Sequence, residues 1–356
     1  MKPIVPHQRL LGILNKAPTF AVIALLLVGC KQHTIRTVYP TLNDGRYDSE
    51  FPYRACSEQL TQLVKSVKKI SCYTEYEVFI YPESAKRTLK SLQTQDPARG
   101  ALNITKAHES QAGTATVIAS EPSGIALLSC YHIIDYPDTI VSYFKPEIAG
   151  SSEYVYSVSI KRSQHIIVRD LSLLLNFSII AYDKQADLAV LGTKDKPESQ
   201  VFPIAYPLGK SKDTEWGSFV YAVGYPLGQQ MITKGIVSNP NFDGEGSFLI
   251  DAPFNTGFSG GIILAIKDGV PNFEIVGLGK SVSANYEYYL KPAKGRHEMV
   301  YNPNLPYEDD IYVSLKKELN YGITNVISTE KILKFYQKHK DQIHAKGFNL
   351  DKFFSE

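Results

Sequence analysis

The feature that most restricts the fold of this chain is a succession of short apolar runs, rich in β-branched and aromatic residues and cut by Gly, Pro, Asn and Asp. Runs of that length between turn formers read as strands. They fall at 73–81, 114–119, 125–130, 154–160, 173–181, 187–192, 218–224, 231–237, 247–251, 260–266, 273–281 and 322–327. Helical periodicity is confined to the two ends. Leu60, Leu63, Val64 and Val67 predict a short amphipathic helix over 57–69. Ile332, Phe335 and Tyr336 give the apolar face of a final helix over 329–345, which Ser328 or Thr329 can cap. About twelve strands is what two six-stranded antiparallel β-barrels require, so the expected class is all-β with a C-terminal α-helix.

A chain of 356 residues can bury a sizeable core without metals or disulfides. The apolar fraction of 44% and charged fraction of 21% are ordinary for a globular protein. A formal net charge of +2, with no basic stripe, argues against a nucleic-acid partner. The eight histidines show no metal-ligand spacing, and no cofactor is expected. Two polar stretches, 83–112 and 284–320, read as insertions; the second carries tyrosines at 286, 288, 289, 301 and 307 that suit an adaptable binding surface.

Three short motifs carry chemistry. Asn255-Thr256-Gly257-Phe258-Ser259-Gly260-Gly261 is a glycine-rich turn around a serine. Such a turn can expose the hydroxyl and aim the N–H groups of Gly257 and Ser259 at a developing oxyanion. Ser129-Cys130-Tyr131-His132 ends an apolar strand on a histidine, and Asp183-Lys184-Gln185-Ala186-Asp187 leads into another. Each alone is ordinary: a strand-end histidine is usually structural and an aspartate before a strand usually caps a turn. Together they supply a nucleophile, a base and a group that holds the base in one tautomer. The chain order His132, Asp187, Ser259 is that of chymotrypsin and of neither subtilisin nor the α/β-hydrolases. It puts His132 and Asp187 in the first barrel and Ser259 in the second. Asp183 is the rival for the third member, and Asp187 is preferred because it directly heads its strand. Cys130, two residues before His132, reads as a buried structural thiol.

At these residues the chain resembles the trypsin-like serine proteases, and within them the bacterial HtrA branch. Gly113-Thr114-Ala115-Thr116-Val117-Ile118 is similar to the family's strand before the histidine, and Trp216 to Gly228 to the segment that opens the second barrel. Thr233 to Ser238, Asp251 to Asn255, Val276 to Gly279 and Gly322 to Thr324 continue the likeness, which spans about 57–340. The resemblance implies a serine endopeptidase working through an acyl-enzyme on protein or peptide substrates. It implies barrels over about 70–200 and 212–328 within a protease domain 56–345. It also implies a specificity pocket lined by Phe254 and Leu278 that takes an apolar side chain. Family members often trimerise, so a homo-oligomer is an expected assembly. Ala115 stands where a glycine is common, and Phe258 where digestive relatives carry an activating aspartate. The span after Ser259 leaves no room for a PDZ domain. The competing expectation is a catalytically silent protein that keeps the fold for binding.

Residues 1–29 read as an export signal: Lys2, Arg9 and Lys16, then the apolar run Phe20 to Val28, too short for the roughly 20 residues of a membrane-spanning helix. Leu27-Val28-Gly29-Cys30 resembles the lipobox of bacterial lipoproteins, which implies acylation of Cys30. Residues 30–55 then read as a tether, and Lys31 after the cysteine points to the periplasmic face of the outer membrane. In an oxidising compartment Cys56 could be bridged to Cys72 across the predicted helix, with Cys130 left free.

Overall fold

The structure is a computed structural model that describes residues 43–144, 153–168, 175–195, 200–292 and 311–355. Cys30, the apolar run before it and the start of the expected tether lie outside these residues. Among the described residues no helix is long and apolar enough to cross a membrane.

The first barrel uses β1 (Val67–Ile80), β2 (Asn103–Glu121), β3 (Gly124–Cys130), β5 (Val155–Val168), β6 (Leu175–Asp183) and β7 (Leu188–Thr193). They form the antiparallel ring β1-β2-β3-β7-β6-β5, closed by pairing of β1 with β5, and β4 (Thr139–Tyr143) is added alongside β5. The second is a closed ring of β8 (Phe219–Gly224), β9 (Met231–Asn239), β10 (Phe248–Ile250), β11 (Ile262–Ile266), β12 (Phe273–Pro292) and β13 (Ile311–Ser328). All twelve expected runs are strands. The unexpected one, β4, is short and half-exposed, so its sequence carries little apolar alternation.

Strand alternation explains why the central strands are apolar on both faces. In β8, Val220 and Ala222 fill the second barrel, while Phe219, Tyr221 and Val223 join the core that runs on into the first. In β11, Ile263 and Ala265 face inward and Ile262, Leu264 and Ile266 outward in the same way. Both faces are buried because each barrel packs on the other.

Helix α1 (Ser57–Ser66) leads into β1, and the short α2 (Leu89–Thr94) lies between β1 and β2. Helix α3 (Thr329–Ala345) leaves the end of β13, with the Ser328 hydroxyl accepting the Lys331 N–H as its cap. Ile332, Phe335, Tyr336 and Ile343 bury its apolar face. Gln342 Nε2 donates to the Ile180 carbonyl of β6, so the helix rises from the second barrel and binds the first. A final turn, α4 (Asp351–Phe354), stacks Phe354 on Tyr336.

The structure adds strands to the two expected insertions and a docked residue to the tether, and it corrects the expected cysteine pairing. The stretches 83–112 and 284–320 are partly strand: β1 and β2 pair out to Ile80↔Asn103, and β12 and β13 out to Pro292↔Ile311. The outer half of β2 is exposed on both faces, which removes the alternation that marks a strand in sequence. The tether is docked by Tyr47: its ring is buried, and its hydroxyl donates to Glu274 and accepts the Lys210 N–H. Cys56 and Cys72 are free thiols. Cys56 Sγ meets the Tyr221 hydroxyl at 3.3 Å, whereas β1 turns Cys72 toward Gln164.

Next to Tyr47, Asp48 is 7% exposed. Burial first, then Glu50, Asp268 and Asp44, push its carboxyl up to about 6, and the Gly269 N–H offsets part of this. A raised folded-state value means that folding favours the protonated acid. Its stabilising contribution is present below the ordinary carboxylate range and lost as pH rises through about 6. Asp48→Asn should therefore gain roughly 1–2 kcal/mol over the wild type at pH 7 and little at pH 4. Urea unfolding of both proteins at the two pH values checks this.

Candidate active site

A cleft of about 460 Å³ opens between the barrels. The first barrel lines it with Gln111, Ala112, Tyr131, His132, Asp135, Lys184 and Asp187, and the second with Phe254, Asn255, Thr256, Gly257, Ser259 and Lys280.

Strand pairing sets the His–Asp geometry. The end of β3 lies against the start of β7 through the pair Cys130↔Leu188. The residues just after β3 and just before β7 therefore meet at one rim. A 3-10 turn over Tyr131–Ile133 presents the histidine, with Ile133 buried as its anchor. Asp187 Oδ2 lies 2.8 Å from His132 Nδ1, and Oδ1 accepts the His132 backbone N–H at 2.8 Å. A carboxylate can only accept, so the ring proton sits on Nδ1 and the Nε2 lone pair is free. Asp187 is 5% exposed, and its φ of 57° is a left-handed conformation that aspartate tolerates better than most residues. Asp183 is engaged elsewhere: it binds Lys338 at 2.7 Å and accepts the N–H groups of Gln185 and Ala186.

The serine turn is fixed from both barrels. Within it Phe258 N donates to Asn255 O and Gly261 N to Phe258 O. From the first barrel, Thr114 N donates to Ser259 O at 2.8 Å and Thr114 Oγ1 to Gly257 O at 2.8 Å. Gly257 has φ +97°, and a Cβ there would stand 2.5 Å from Tyr225 O. At Gly260 a Cβ would stand 2.0 Å from Thr114 O. The backbone N–H groups of Gly257 and Ser259 have no acceptor among the described residues. No hydrogen bond joins Ser259 Oγ to His132 there either; such contacts are commonly long in a site without substrate.

Of the two residues expected in the specificity pocket, Phe254 borders the cleft and Leu278 does not. Leu278 is fully buried in the core, and β12 contributes Lys280 instead. A bulge between Gly279 and Ser281 breaks the alternation that would have kept 278 and 280 on one face. Phe254 is itself 3% exposed, its ring against Phe258 and above Gly279.

The direction of Lys280 and the anchoring role of Thr114 are not readable from the sequence. Lys280 Nζ lies 3.9 Å from Asp187 Oδ2, which gives that carboxylate a cationic neighbour. Thr114 is a polar residue between Gly113 and Ala115 in a buried stretch, a place where a hydroxyl must have partners. Cys130 Sγ, a His132 ring nitrogen and an Asp187 oxygen lie within 4.8 Å of one another. The nitrogen and oxygen are spent on each other, and the thiol donates to Gly279 O. Burial, then the Asp187 charge, raise the Cys130 thiol well above its ordinary range. It is a neutral packing group.

Two six-stranded antiparallel barrels, with a His–Asp pair on one rim and a serine turn on the other, define a chymotrypsin-like double barrel. Residues 113–277 match the family model of the trypsin-like peptidase domain. Among solved structures it is similar to AlgW, an HtrA-type protease with a tripeptide, at 17% identity and a TM-score of 0.41. That likeness covers 80% of this chain but only 64%, under two thirds, of AlgW. A serine endoprotease from Yersinia pestis is 16% identical with a TM-score of 0.40, over 83% of this chain and 68% of that one. No curated protein matches the chain.

Thr114 Oγ1 also accepts the Tyr225 N–H at 2.9 Å, so this fully buried hydroxyl serves two backbone groups. Thr114→Val removes both hydrogen bonds from a buried site and should destabilise the protein by roughly 2–4 kcal/mol, whereas Thr114→Ser should cost about 1 kcal/mol. Equilibrium urea unfolding distinguishes the two.

Proposed function

We propose that the chain is a serine endopeptidase in which His132, Asp187 and Ser259 act as a triad. The observation that carries this reading is the doubly bonded Asp187–His132 pair, sharing one cleft with a serine on a glycine-fixed turn. Ser259 Oγ attacks the scissile carbonyl carbon while its proton passes to His132 Nε2. Asp187 holds Nδ1–H and offsets the imidazolium charge. The oxyanion receives the N–H groups of Gly257 and Ser259, which nothing else in the described structure occupies. Collapse breaks the C–N bond, and the leaving amine takes the His132 proton. Water then attacks the ester, giving a proton to His132, and the second collapse returns that proton to Ser259 with release of the acid. Phe254 supports an apolar contact for the residue on the acyl side.

A fluorophosphonate, which captures an activated serine, tests the reading directly. The wild type should label and Ser259→Ala should not. Asp187→Asn should label roughly 10⁴-fold more slowly, because the ring loses its tautomer control. Absence of labelling in the wild type would favour the silent binding protein.

Export and acylation at Cys30 belong to the same proposal and rest on the residues before that cysteine. Cells fed an alkynyl fatty acid should yield a labelled protein in the membrane fraction. Cys30→Ala should abolish the label; an unlabelled wild type would remove the anchor from the proposal.

A further inference from the structure

The pairing pattern of β2 leaves part of the cleft wall unused. The strand is paired with β1 from Thr116 out to Asn103, but with β3 only from Ala115 onward. Between Asn103 and Ala112 its other edge has no backbone partner among the described residues. Every residue from Asn103 to Gln111 is exposed. Open edges are normally shortened, bulged or interrupted by proline, because unpaired N–H and C=O groups recruit other chains. This stretch has no proline or glycine, and its pairing to β1 runs without a register shift.

The edge also leads to the reacting groups. Gln111 and Ala112 line the cleft, and Thr114, two residues on, donates its N–H to Ser259 O. The second barrel supplies the wall with Phe254 and Lys280, the side proposed for the acyl half of a substrate. The first barrel's wall at Gln111 and Ala112 is thus the exit for the leaving-group half.

We propose that the free edge of β2, from Ala112 out to Asn103, binds the leaving-group side of an extended polypeptide substrate as an added antiparallel strand. The inference rests on the endopeptidase reading and names the substrate class: chains that can stay extended for about 30 Å beyond the scissile bond, or roughly eight to ten residues. Affinity comes from main-chain hydrogen bonds and is tolerant of sequence. Only every second substrate amide faces the edge, so the dependence on substrate N–H groups has a period of two.

The probe is a peptide that the enzyme cuts in reduced, alkylated lysozyme, resynthesised with leaving-group sides of about two to ten residues. Lengthening from two to eight should raise kcat/KM about 10-fold or more, mainly through KM, and N-methylation should reverse the gain at alternate amides only. With the uncleaved long peptide on Ser259→Ala, amides of 103–112 should exchange hydrogen about 10-fold more slowly. No length dependence beyond the second residue, or no added protection, overturns the proposal. So does a dimer by sedimentation that protects the same amides without peptide, since a second copy then holds the edge. Fluorophosphonate labelling separates the failures: a labelled Ser259 with a flat length series sinks this inference alone, whereas an unlabelled one sinks the endopeptidase reading beneath it.

Discussion

The site depends first on the hydrogen bonds of one buried residue, Thr114. Its backbone N–H holds Ser259 O, its hydroxyl donates to Gly257 O and accepts the Tyr225 N–H, and its carbonyl accepts the Ser129 hydroxyl. Three of these contacts reach into the second barrel and one returns to the first. The placement of Ser259 on one barrel relative to the other is therefore tied to a strand of the barrel that carries His132. Inside a low-dielectric core such bonds are strong when complete and costly when broken, so the interface has one register. Helix α3 adds a second tie at a distance, leaving the second barrel at Ser328 and ending on β6 of the first.

Within that frame the electrostatics of the cleft are distributed unevenly. Asp187 is buried and gives both oxygens to His132, while Lys280 stands 3.9 Å from one of them and is about two-fifths exposed. Asp135, on the same wall of the cleft, is held by Lys184 and by the Tyr131 hydroxyl, and its carboxyl sits below the ordinary range; burial opposes the shift and the Lys184 hydrogen bond drives it. That acid is therefore a fixed charge with partners and not a second base. Cys130 is kept neutral by burial. His132 Nε2 is left without a hydrogen-bond partner among the described residues, in the cleft that Ser259 also lines.

What could be read in sequence follows from how local each signal is. The central strands were legible because burial on both faces makes them continuously apolar, as in β3, β7, β8 and β11. The triad candidates were legible because each lies at a strand end or in a glycine turn, and strand order brings the ends together. The β12 side of the cleft was not, because one bulge at Gly279–Ser281 decides which side chain meets it. Tyr47 was hidden in a stretch of turn formers, since its place depends on Glu274, far along the chain. The outer half of β2 escaped notice for the opposite reason: exposure on both faces leaves no periodicity to read.

The outer halves of β2, β12 and β13 all extend barrel strands. A two-stranded ribbon is marginal in water on its own. The β12–β13 extension avoids that difficulty because its inner half is already fixed in a barrel, and the β1–β2 extension because β5 also pairs with β1 out to Ile80↔Ser157. The outer end of β1 is packed as well, with Phe79 and Tyr81 in a small core beside Val155 and Val158. One face of the second ribbon carries Tyr288, Leu290, Val313 and Leu315, opposed in register and each more than half exposed. A free-standing hairpin could not keep such a face in order; the barrel does. Both ribbons grow from strands that reach the cleft, β2 through Ala112 and β12 through Lys280. Extending a wall strand is thus the way this fold adds surface whose position relative to Ser259 is determined by the barrels themselves.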